Sequence, residues 1–318
     1  MKNLRPYVAI ARPDHWFKNI FILPGVAFAA VLKPDAIFNS EGSLSNFIFR
    51  LVIGIISTCL VASANYVINE WLDAEFDKFH PVKKNRPAVQ GKLKASIVYT
   101  EYALLLLVGL SLASLVSHYF LAVAAALMIQ GIFYNIRPMR TKEKAYLDVI
   151  SEAINNPIRL MLGWFIVTST PLPPSSLLFA YWMGGAFLMA IKRYGEYRFI
   201  ANPEQAGLYR RSFKVYTENS LLISSFFYAN CAAFFLGVFL VKYRIELLLT
   251  LPFLAFLFTW YLYIGLKKDS PAQHPERLLR DKRLTAYLLF LGVLFMTLFF
   301  ARIESLHWFL ENSFITQK

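Results

Sequence analysis

Asn69, Asp73 and Asp77 recur at i, i+4 and i+8 in the stretch Asn69-Glu70-Trp71-Leu72-Asp73-Ala74-Glu75-Phe76-Asp77. On a helix that spacing puts three oxygen-bearing side chains on one face. Mg²⁺ takes one or two carboxylates, several waters and substrate phosphate oxygens, so such a face suits it. The residues that follow, His80-Pro81-Val82-Lys83-Lys84-Asn85-Arg86-Pro87, add cations within a few positions. The chemistry this predicts is the handling of a metal-bound diphosphate. Asn69, Asp73 and Asp77 form the expected Mg²⁺ ligand set, and Asp73, Asp77, Lys83 and Arg86 the expected catalytic group. A solvated helix end with mixed charges is the plain alternative. The helical spacing and the adjoining basic loop weigh against it. His80 is read as a loop or phosphate-contact residue, because the site is one of hard oxygens and a proline follows.

The elements that must position these residues are membrane helices. The chain has 318 residues, of which 57% are hydrophobic, 16% aromatic and only 17% charged. Soluble domains carry roughly 25% charged residues, which weighs against a soluble globule, and the composition excludes a disordered chain, a collagen-like repeat and a disulfide scaffold. No cleavable signal pattern is expected at the N-terminus. A helix needs about 20 apolar residues to cross a bilayer core. Nine such runs are predicted: 17–33, 47–69, 95–117, 119–135, 145–168, 174–192, 219–241, 246–266 and 284–304. Only Ser117 and His118 separate the third from the fourth, which predicts a tight helical hairpin.

Loop charge gives the sidedness. Lys and Arg crowd the N-terminal segment and the loops 78–94, 137–144, 192–214 and 267–283. The opposite face carries only Lys33, Arg50, Lys242, Arg244, Arg302 and Lys318. By the positive-inside rule the N-terminus and the polar loops are cytoplasmic, and the C-terminus is outside. The net charge of +13 then points to an anionic membrane surface or phosphorylated ligands rather than to nucleic acid. The expected architecture is an all-α, polytopic membrane protein forming a single membrane domain over residues 1–318, integral to the cytoplasmic membrane.

The fifth run carries a polar stripe: Asp148, Glu152, Asn155 or Asn156, and Arg159 follow at near-helical intervals. Charged groups this deep face a cavity or a partner. Two readings stand side by side. In one, Asn156 and Arg159 line a cavity and touch phosphate or sugar oxygens; in the other, Arg159 pairs with Asp148 or Glu152 and holds helices together. Pro157 is expected to kink this helix.

Asn69-Glu70-x-x-Asp73-x-x-x-Asp77 resembles the first aspartate-rich motif of the UbiA superfamily of intramembrane prenyltransferases, with Glu70 where that family more often has Asp. The resemblance implies nine helices bundled around a central cavity, with the polar motifs on one membrane face. Arg12-Pro13-Asp14-His15-Trp16-Phe17-Lys18-Asn19 is similar to the family's segment before the first helix. Tyr134-Asn135-Ile136-Arg137-Pro138-Met139-Arg140-Thr141-Lys142-Glu143-Lys144 resembles its Tyr-and-basic stretch before the fifth helix. Lys18, Asn19, Tyr134, Arg140 and Lys142 are thereby implied as substrate-binding.

Ring-prenylating members carry a second Asp-rich motif after the sixth helix. Here that place reads Lys192-Arg193-Tyr194-Gly195-Glu196, two cations where carboxylates were expected. That pattern resembles the decaprenyl-phosphate phosphoribosyltransferases within the superfamily. So do His80-Pro81-x-Lys83-x-x-Arg86-Pro87, Tyr209-Arg210-Arg211 ahead of Tyr216-Thr217, and Pro275-Glu276 before Arg280-Asp281. The resemblance implies Mg²⁺-dependent transfer of 5-phosphoribose from phosphoribosyl diphosphate to a decaprenyl-like polyprenyl phosphate. Lys192, Arg193 and Glu196 are expected to bind substrate, with Lys192 and Arg193 clamping the lipid phosphate. Positive-inside anchoring at a helix end is the alternative for the two cations, and a surface ion pair that for Glu196 and Arg198. A prenyltransferase moving an isoprenoid from its diphosphate to a small aromatic acceptor is the second reading. A transporter is the third, opposed by the concentration of polar residues at one face.

Overall fold

A computed structural model describes residues 4–33, 36, 44–267 and 281–306. The described chain is helical. Twelve helices run in order: α1 (Arg5–Ala11), α2 (Leu23–Leu32), α3 (Leu44–Asp77), α4 (Ala95–Ser114), α5 (His118–Asn135), α6 (Leu147–Ala153), α7 (Asn155–Val167), α8 (Ser175–Ile200), α9 (Pro203–Tyr209), α10 (Glu218–Tyr243), α11 (Leu251–Leu266) and α12 (Lys282–Phe300). Among the described residues, eight helical stretches are long and apolar enough to cross a membrane. They answer to the first four and the last four of the nine expected runs.

The remaining run, 145–168, is divided. Its residues form the short helices α6 and α7, which meet at Ile154. Pro157 explains the division. A proline fits the first turn of a helix, where its missing N–H costs nothing, but would clash inside a continuous one. Ile154 keeps helical dihedrals (φ −62°, ψ −19°). Ile154 N donates to the Ile150 carbonyl and Ile158 N to that of Ile154, both at 3.2 Å, so the interruption is that of the expected kink.

By backbone contacts the chain forms two compact units, Met1–Pro173 with Ile200–Thr217, and Pro174–Phe199 with Glu218–Lys318. In the first unit, α3 has 34 residues, about 50 Å at 1.5 Å per residue. A bilayer core is about 30 Å thick, so one end of α3 must project beyond it, and the last turns carry Glu70, Asp73 and Asp77. The segment Pro13–Ile22 is a 3₁₀ stretch between α1 and α2. It follows Arg12, whose left-handed backbone (φ 51°) turns the chain sharply.

Two glycines set the crossing of α2 with α7. A Cβ on Gly25 would stand 2.0 Å from the Leu160 carbonyl oxygen, and one on Gly163 would stand 2.0 Å from that of Ile22. Only glycine allows backbones this close. The crossing brings Arg159 of α7 against Asn19 of the 3₁₀ segment. The α4–α5 hairpin forms as the sequence predicts, with Ser117 Oγ capping α5 by accepting from Phe120 N at 3.1 Å. The segment 200–217 contributes α9 and a 3₁₀ turn, Arg211–Lys214. It is pinned by Gln205 Nε2, which donates to the Phe79 carbonyl at 2.9 Å.

In the second unit, α8 continues past the expected boundary at 192 as far as Ile200. Lys192, Arg193 and Glu196 thus stand on a helix rather than in a loop. The helices of this unit join through aromatic contacts such as Phe187 with Phe258, whose ring centroids are 4.8 Å apart. Ile223, Phe226, Leu289 and Val293 are exposed, which lipid tails satisfy and water does not. Pro275, Glu276 and Arg280 lie outside the described residues. Cys59 and Cys231 are both free thiols.

Candidate active site

The projecting end of α3 presents a face on which every carboxylate meets a cation. Glu70 Oε2 accepts from Arg12 Nη2 at 2.7 Å, with Arg86 Nε at 3.9 Å. Asp73 Oδ1 receives Lys142 Nζ at 2.5 Å and Arg140 Nη2 at 3.0 Å. Asp77 Oδ2 pairs with Arg86 Nη1. Glu70 and Asp77 are almost completely buried, and charges so placed need partners. Among the described residues Glu70 Oε1 nonetheless has no hydrogen-bond partner.

Several expected residues converge on Asp73. Arg140 also donates to the backbone oxygens of Asn135 (3.1 Å) and Leu72 (3.2 Å). It stacks over Phe76, its guanidinium carbon 5.0 Å from the ring centre. Lys142 lies over the Tyr134 ring at 5.8 Å. Asn135, which the sequence reading passed over, ties the group together. Its Oδ1 accepts from Asn69 Nδ2 at 2.6 Å and from Lys142 Nζ at 2.7 Å. Burial pulls the Lys142 ammonium down to about 8, against the opposing pull of Asp73.

Beside Asp77, burial works against the charge of Arg86, but Asp77, Glu70 and Tyr209 outweigh it and hold the guanidinium above its ordinary range. Lys83 Nζ donates to the Tyr209 hydroxyl and sits 4.5 Å above that ring. Tyr209 also meets the His80 ring edge-on at 4.7 Å. His80 Nδ1 accepts the backbone N–H groups of Val82 and Lys83, both at 3.1 Å, so His80 shapes the loop that carries Lys83.

The segment 200–217 is held on this region by Asp148, which is fully buried. Asp148 accepts from Ser212 Oγ at 3.0 Å and from the Tyr216 hydroxyl at 2.7 Å, with Arg210 Nη1 at 3.9 Å. No spacing in the sequence links Asp148 to Ser212, 64 residues away.

Deeper along α3 the polar groups continue. The Tyr66 ring meets His15 edge-on at 5.5 Å, with the Arg12 guanidinium carbon at 5.7 Å. Arg159 Nε donates to Asn19 Oδ1 at 3.0 Å and Nη1 to the Asn155 carbonyl at 3.2 Å, while Asn19 Nδ2 donates to Cys59 Sγ at 3.1 Å. Among the described residues Arg159 forms no ion pair with Asp148 or Glu152; its bond to Asn19 joins α7 to the 3₁₀ segment. Lys18 Nζ lies 3.3 Å from His15 Nδ1, and Asn156 makes no side-chain hydrogen bond among the described residues. In the second unit, Arg193 Nη1 donates to Glu196 Oε2 at 3.2 Å, both groups buried. Arg198 pairs instead with Glu218 at 3.6 Å.

The UbiA prenyltransferase family model matches residues 20–280. The chain belongs to that family. The decaprenyl-phosphate phosphoribosyltransferase of Corynebacterium glutamicum is 28% identical over 224 residues, covering 69% of this chain and 63% of the relative. That of Mycolicibacterium smegmatis is 28% identical over 217 residues, covering 67% and 63%. These matches span less than two thirds of either relative's length. A UbiA homolog from Archaeoglobus fulgidus, solved bound to DMAPP and Mg²⁺, superposes with a TM-score of 0.67 at 21% identity, covering 94% of this chain and 98% of the other. The fold is therefore that of a UbiA-family multi-pass membrane protein.

The donor set on α3 fits a divalent cation of the Mg²⁺ type. Asn69, Asp73 and Asp77 offer oxygens, and the unpartnered Glu70 Oε1 adds a buried one. Among the described residues no three His, Cys, Asp or Glu side chains converge into a ready cage. Mg²⁺ does not require one, since it keeps waters and takes phosphate oxygens.

Proposed function

We propose that this chain transfers 5-phosphoribose from phosphoribosyl diphosphate to a polyprenyl phosphate, releasing diphosphate, with Mg²⁺ as cofactor. One observation carries the reading: Glu70, Asp73 and Asp77 are all met by Arg12, Arg86, Arg140 or Lys142. A carboxylate face so fully supplied with cations suits a reaction in which both substrates are phosphorylated. The family membership and the names of the bacterial relatives support it.

Asn69, Asp73 and Asp77 would hold the cation, which supplies charge neutralisation for the departing diphosphate. The side chains do the rest. Arg86, Arg140 and Lys142, which face these carboxylates, and Lys83 on its His80-shaped loop would bind phosphate oxygens. Negative charge grows on the leaving group as the anomeric bond breaks, and these fixed cations stabilise it without rearranging. The lipid phosphate is anionic at neutral pH and needs placing rather than deprotonating, so no strong general base is required. Lys192 and Arg193, with Glu196 orienting Arg193, are assigned to that phosphate. The site is assigned to the cytoplasmic face, with the N-terminus cytoplasmic and the C-terminus outside, from the loop charges.

The test is a transfer assay with purified protein in detergent, polyprenyl phosphate, labelled phosphoribosyl diphosphate, and Mg²⁺ present or chelated. Metal-dependent label in the lipid product is expected. Absence of product, with consumption of a polyprenyl diphosphate when an aromatic acceptor is added, would move the chain to isoprenoid transfer.

A further inference from the structure

The loop between α5 and α6 and the turn at Arg211, both in the first unit, border an open groove of about 590 Å³. Small-molecule sites occupy about 300–1,000 Å³, so the groove is large enough for one. Its charged lining is Arg137, Arg140, Lys144 and Arg211 against the single carboxylate of Glu143. That carboxylate lies between two of the cations: Oε1 meets Arg140 Nε at 2.6 Å, and Oε2 accepts from Arg211 Nη1 at 3.2 Å. Arg137 and Lys144 are exposed, and among the described residues their side chains make no hydrogen bond and no ion pair. Four cations gathered around one carboxylate repel one another, and an arriving anion relieves that repulsion.

Arg140 joins the groove to the carboxylate face. Its Nη2 donates to Asp73 Oδ1 at 3.0 Å, while Nε of the same planar fork faces Glu143. Arg140 and Arg211 also share the Phe76 ring, their guanidinium carbons 5.0 Å and 5.7 Å from its centre. Phe76 stands on α3 between Asp73 and Asp77. The inner wall of the groove is therefore fixed to the helix that carries the expected metal ligands. Its outer wall, Arg137 and Lys144, is open to water.

We propose that this groove binds a phosphate monoester, the 5-phosphate of the donor sugar, through Arg137 and Lys144, with Arg140 shared between that phosphate and the diphosphate. This rests on the phosphoribosyl reading above and assigns the one charged group of the donor which that reading leaves without cations. A phosphate monoester carries about −1.5 to −2 charges at neutral pH and three strong acceptor oxygens, so it calls for more than one cation. Phosphoribosyl diphosphate bears its two anionic groups on one small ring. Cations for the second must therefore adjoin those for the first, as Arg140 makes them do. The polyprenyl phosphate ends in the same chemical group, but nothing in its structure requires a second anion site beside Asp73. An isoprenoid diphosphate has no second phosphate and would leave the groove empty. The groove thus favours a phosphorylated sugar as donor.

The experiment uses the full chain in detergent and measures inhibition of phosphoribosyl transfer by two probes. Ribose 5-phosphate carries only the 5-phosphate, and inorganic diphosphate only the leaving group. Saturation curves for polyprenyl phosphate are measured beside them. The variant combines Arg137→Gln with Lys144→Gln, two exposed side chains without partners among the described residues, so folding is not at stake. Inhibition by ribose 5-phosphate is expected to weaken by at least about tenfold, the loss of one or more charge-assisted hydrogen bonds. Inhibition by diphosphate and KM for polyprenyl phosphate should each stay within about twofold of the wild-type chain. Unchanged inhibition by ribose 5-phosphate overturns the proposal, as does a wild-type chain that this probe does not inhibit. A higher KM for polyprenyl phosphate, with ribose 5-phosphate inhibition unchanged, also overturns it and gives the groove to the lipid headgroup. Equal weakening of both probes overturns it too, by making the groove a source of general positive charge. If the wild-type chain transfers no phosphoribose at all, the parent reading fails and takes this one with it. That outcome is seen before any variant is measured.

Discussion

Lys142 Nζ lies 2.5 Å from Asp73 Oδ1, deep enough that both groups are largely removed from water. The same ammonium donates to Asn135 Oδ1, which in turn accepts from Asn69. Two of the three expected metal ligands are thus joined through one lysine. In this arrangement Lys142 occupies the charge-neutralising place that a divalent cation would take, so with the proposed metal site the cation and the lysine would compete for Asp73.

That competition has a sign. Lys142→Met removes the rival charge while keeping the volume of the side chain. Mg²⁺ binding to the chain without donor should tighten by about tenfold, because an opposite charge within a few ångströms stabilises the ionised carboxylate at the expense of other ligands. Donor use should worsen, with KM for phosphoribosyl diphosphate rising about tenfold as a phosphate-binding cation is lost. Calorimetric titration of Mg²⁺ and a donor saturation curve measure the two effects. Weaker Mg²⁺ binding in the variant would show that Lys142 organises the site rather than guarding it.

Asp73→Asn and Asp77→Asn should each lower turnover by roughly a thousandfold, in the range found when a group stabilising the transition-state charge is removed. Chelating Mg²⁺ from the wild-type chain should do the same. Breaking a buried ion pair also costs about 3–5 kcal/mol in stability, so rates are compared on protein whose thermal unfolding in detergent has been checked. Near-normal turnover by a folded Asp73→Asn chain would remove the metal-site assignment.

The site was legible in the sequence where it is local and hidden where it is not. The face of α3 follows from helical spacing alone, and the loop cations from their nearness in the chain. Arg140 and Lys142 were placed by a motif, and both reach Asp73. Asn135, adjacent to Tyr134 in that same motif, was readable as a polar residue at a helix end but not as a bridge, because its partner Asn69 is 66 residues away. The same holds for Arg12 with Glu70 and for Asp148 with Ser212. Such pairings depend on how helices cross, and here two glycines, 25 and 163, decide one of the crossings. The fifth run was readable as a helical stretch, and Pro157 marked where it is interrupted, because a proline cannot donate to the carbonyl four residues before it.

The hold of Asp148 on Tyr216 predicts a latch. Tyr216→Phe removes a 2.7 Å hydrogen bond to a buried carboxylate, worth about 1.5–3 kcal/mol. The effect should be local, because segment 200–217 loses one of its anchors, keeping those of Ser212 and Gln205, while the membrane helices keep their packing. Hydrogen exchange in residues 200–217 should accelerate by at least about tenfold for a loss of that size, with α4 and α5 unchanged. Uniform acceleration across the first unit would mean that the hydroxyl supports the fold as a whole.

The proposed role of Lys192 at the lipid phosphate can be separated from donor binding. On α8 it stands next to Arg193, whose guanidinium is already engaged by Glu196 at 3.2 Å. If Lys192 serves the lipid phosphate, Lys192→Ala should raise KM for polyprenyl phosphate by about tenfold, the cost of one charge-assisted hydrogen bond, and leave KM for phosphoribosyl diphosphate within about twofold. Lys83→Ala should show the mirror image, since Lys83 belongs to the loop that flanks Asp77. The pair of variants is more informative than either alone. A general loss of positive charge would move both constants together in both variants, whereas separate binding roles move one constant in each. Donor KM rising in Lys192→Ala, with lipid KM steady, would reassign Lys192 to the diphosphate and leave Arg193 as the remaining cation for the lipid.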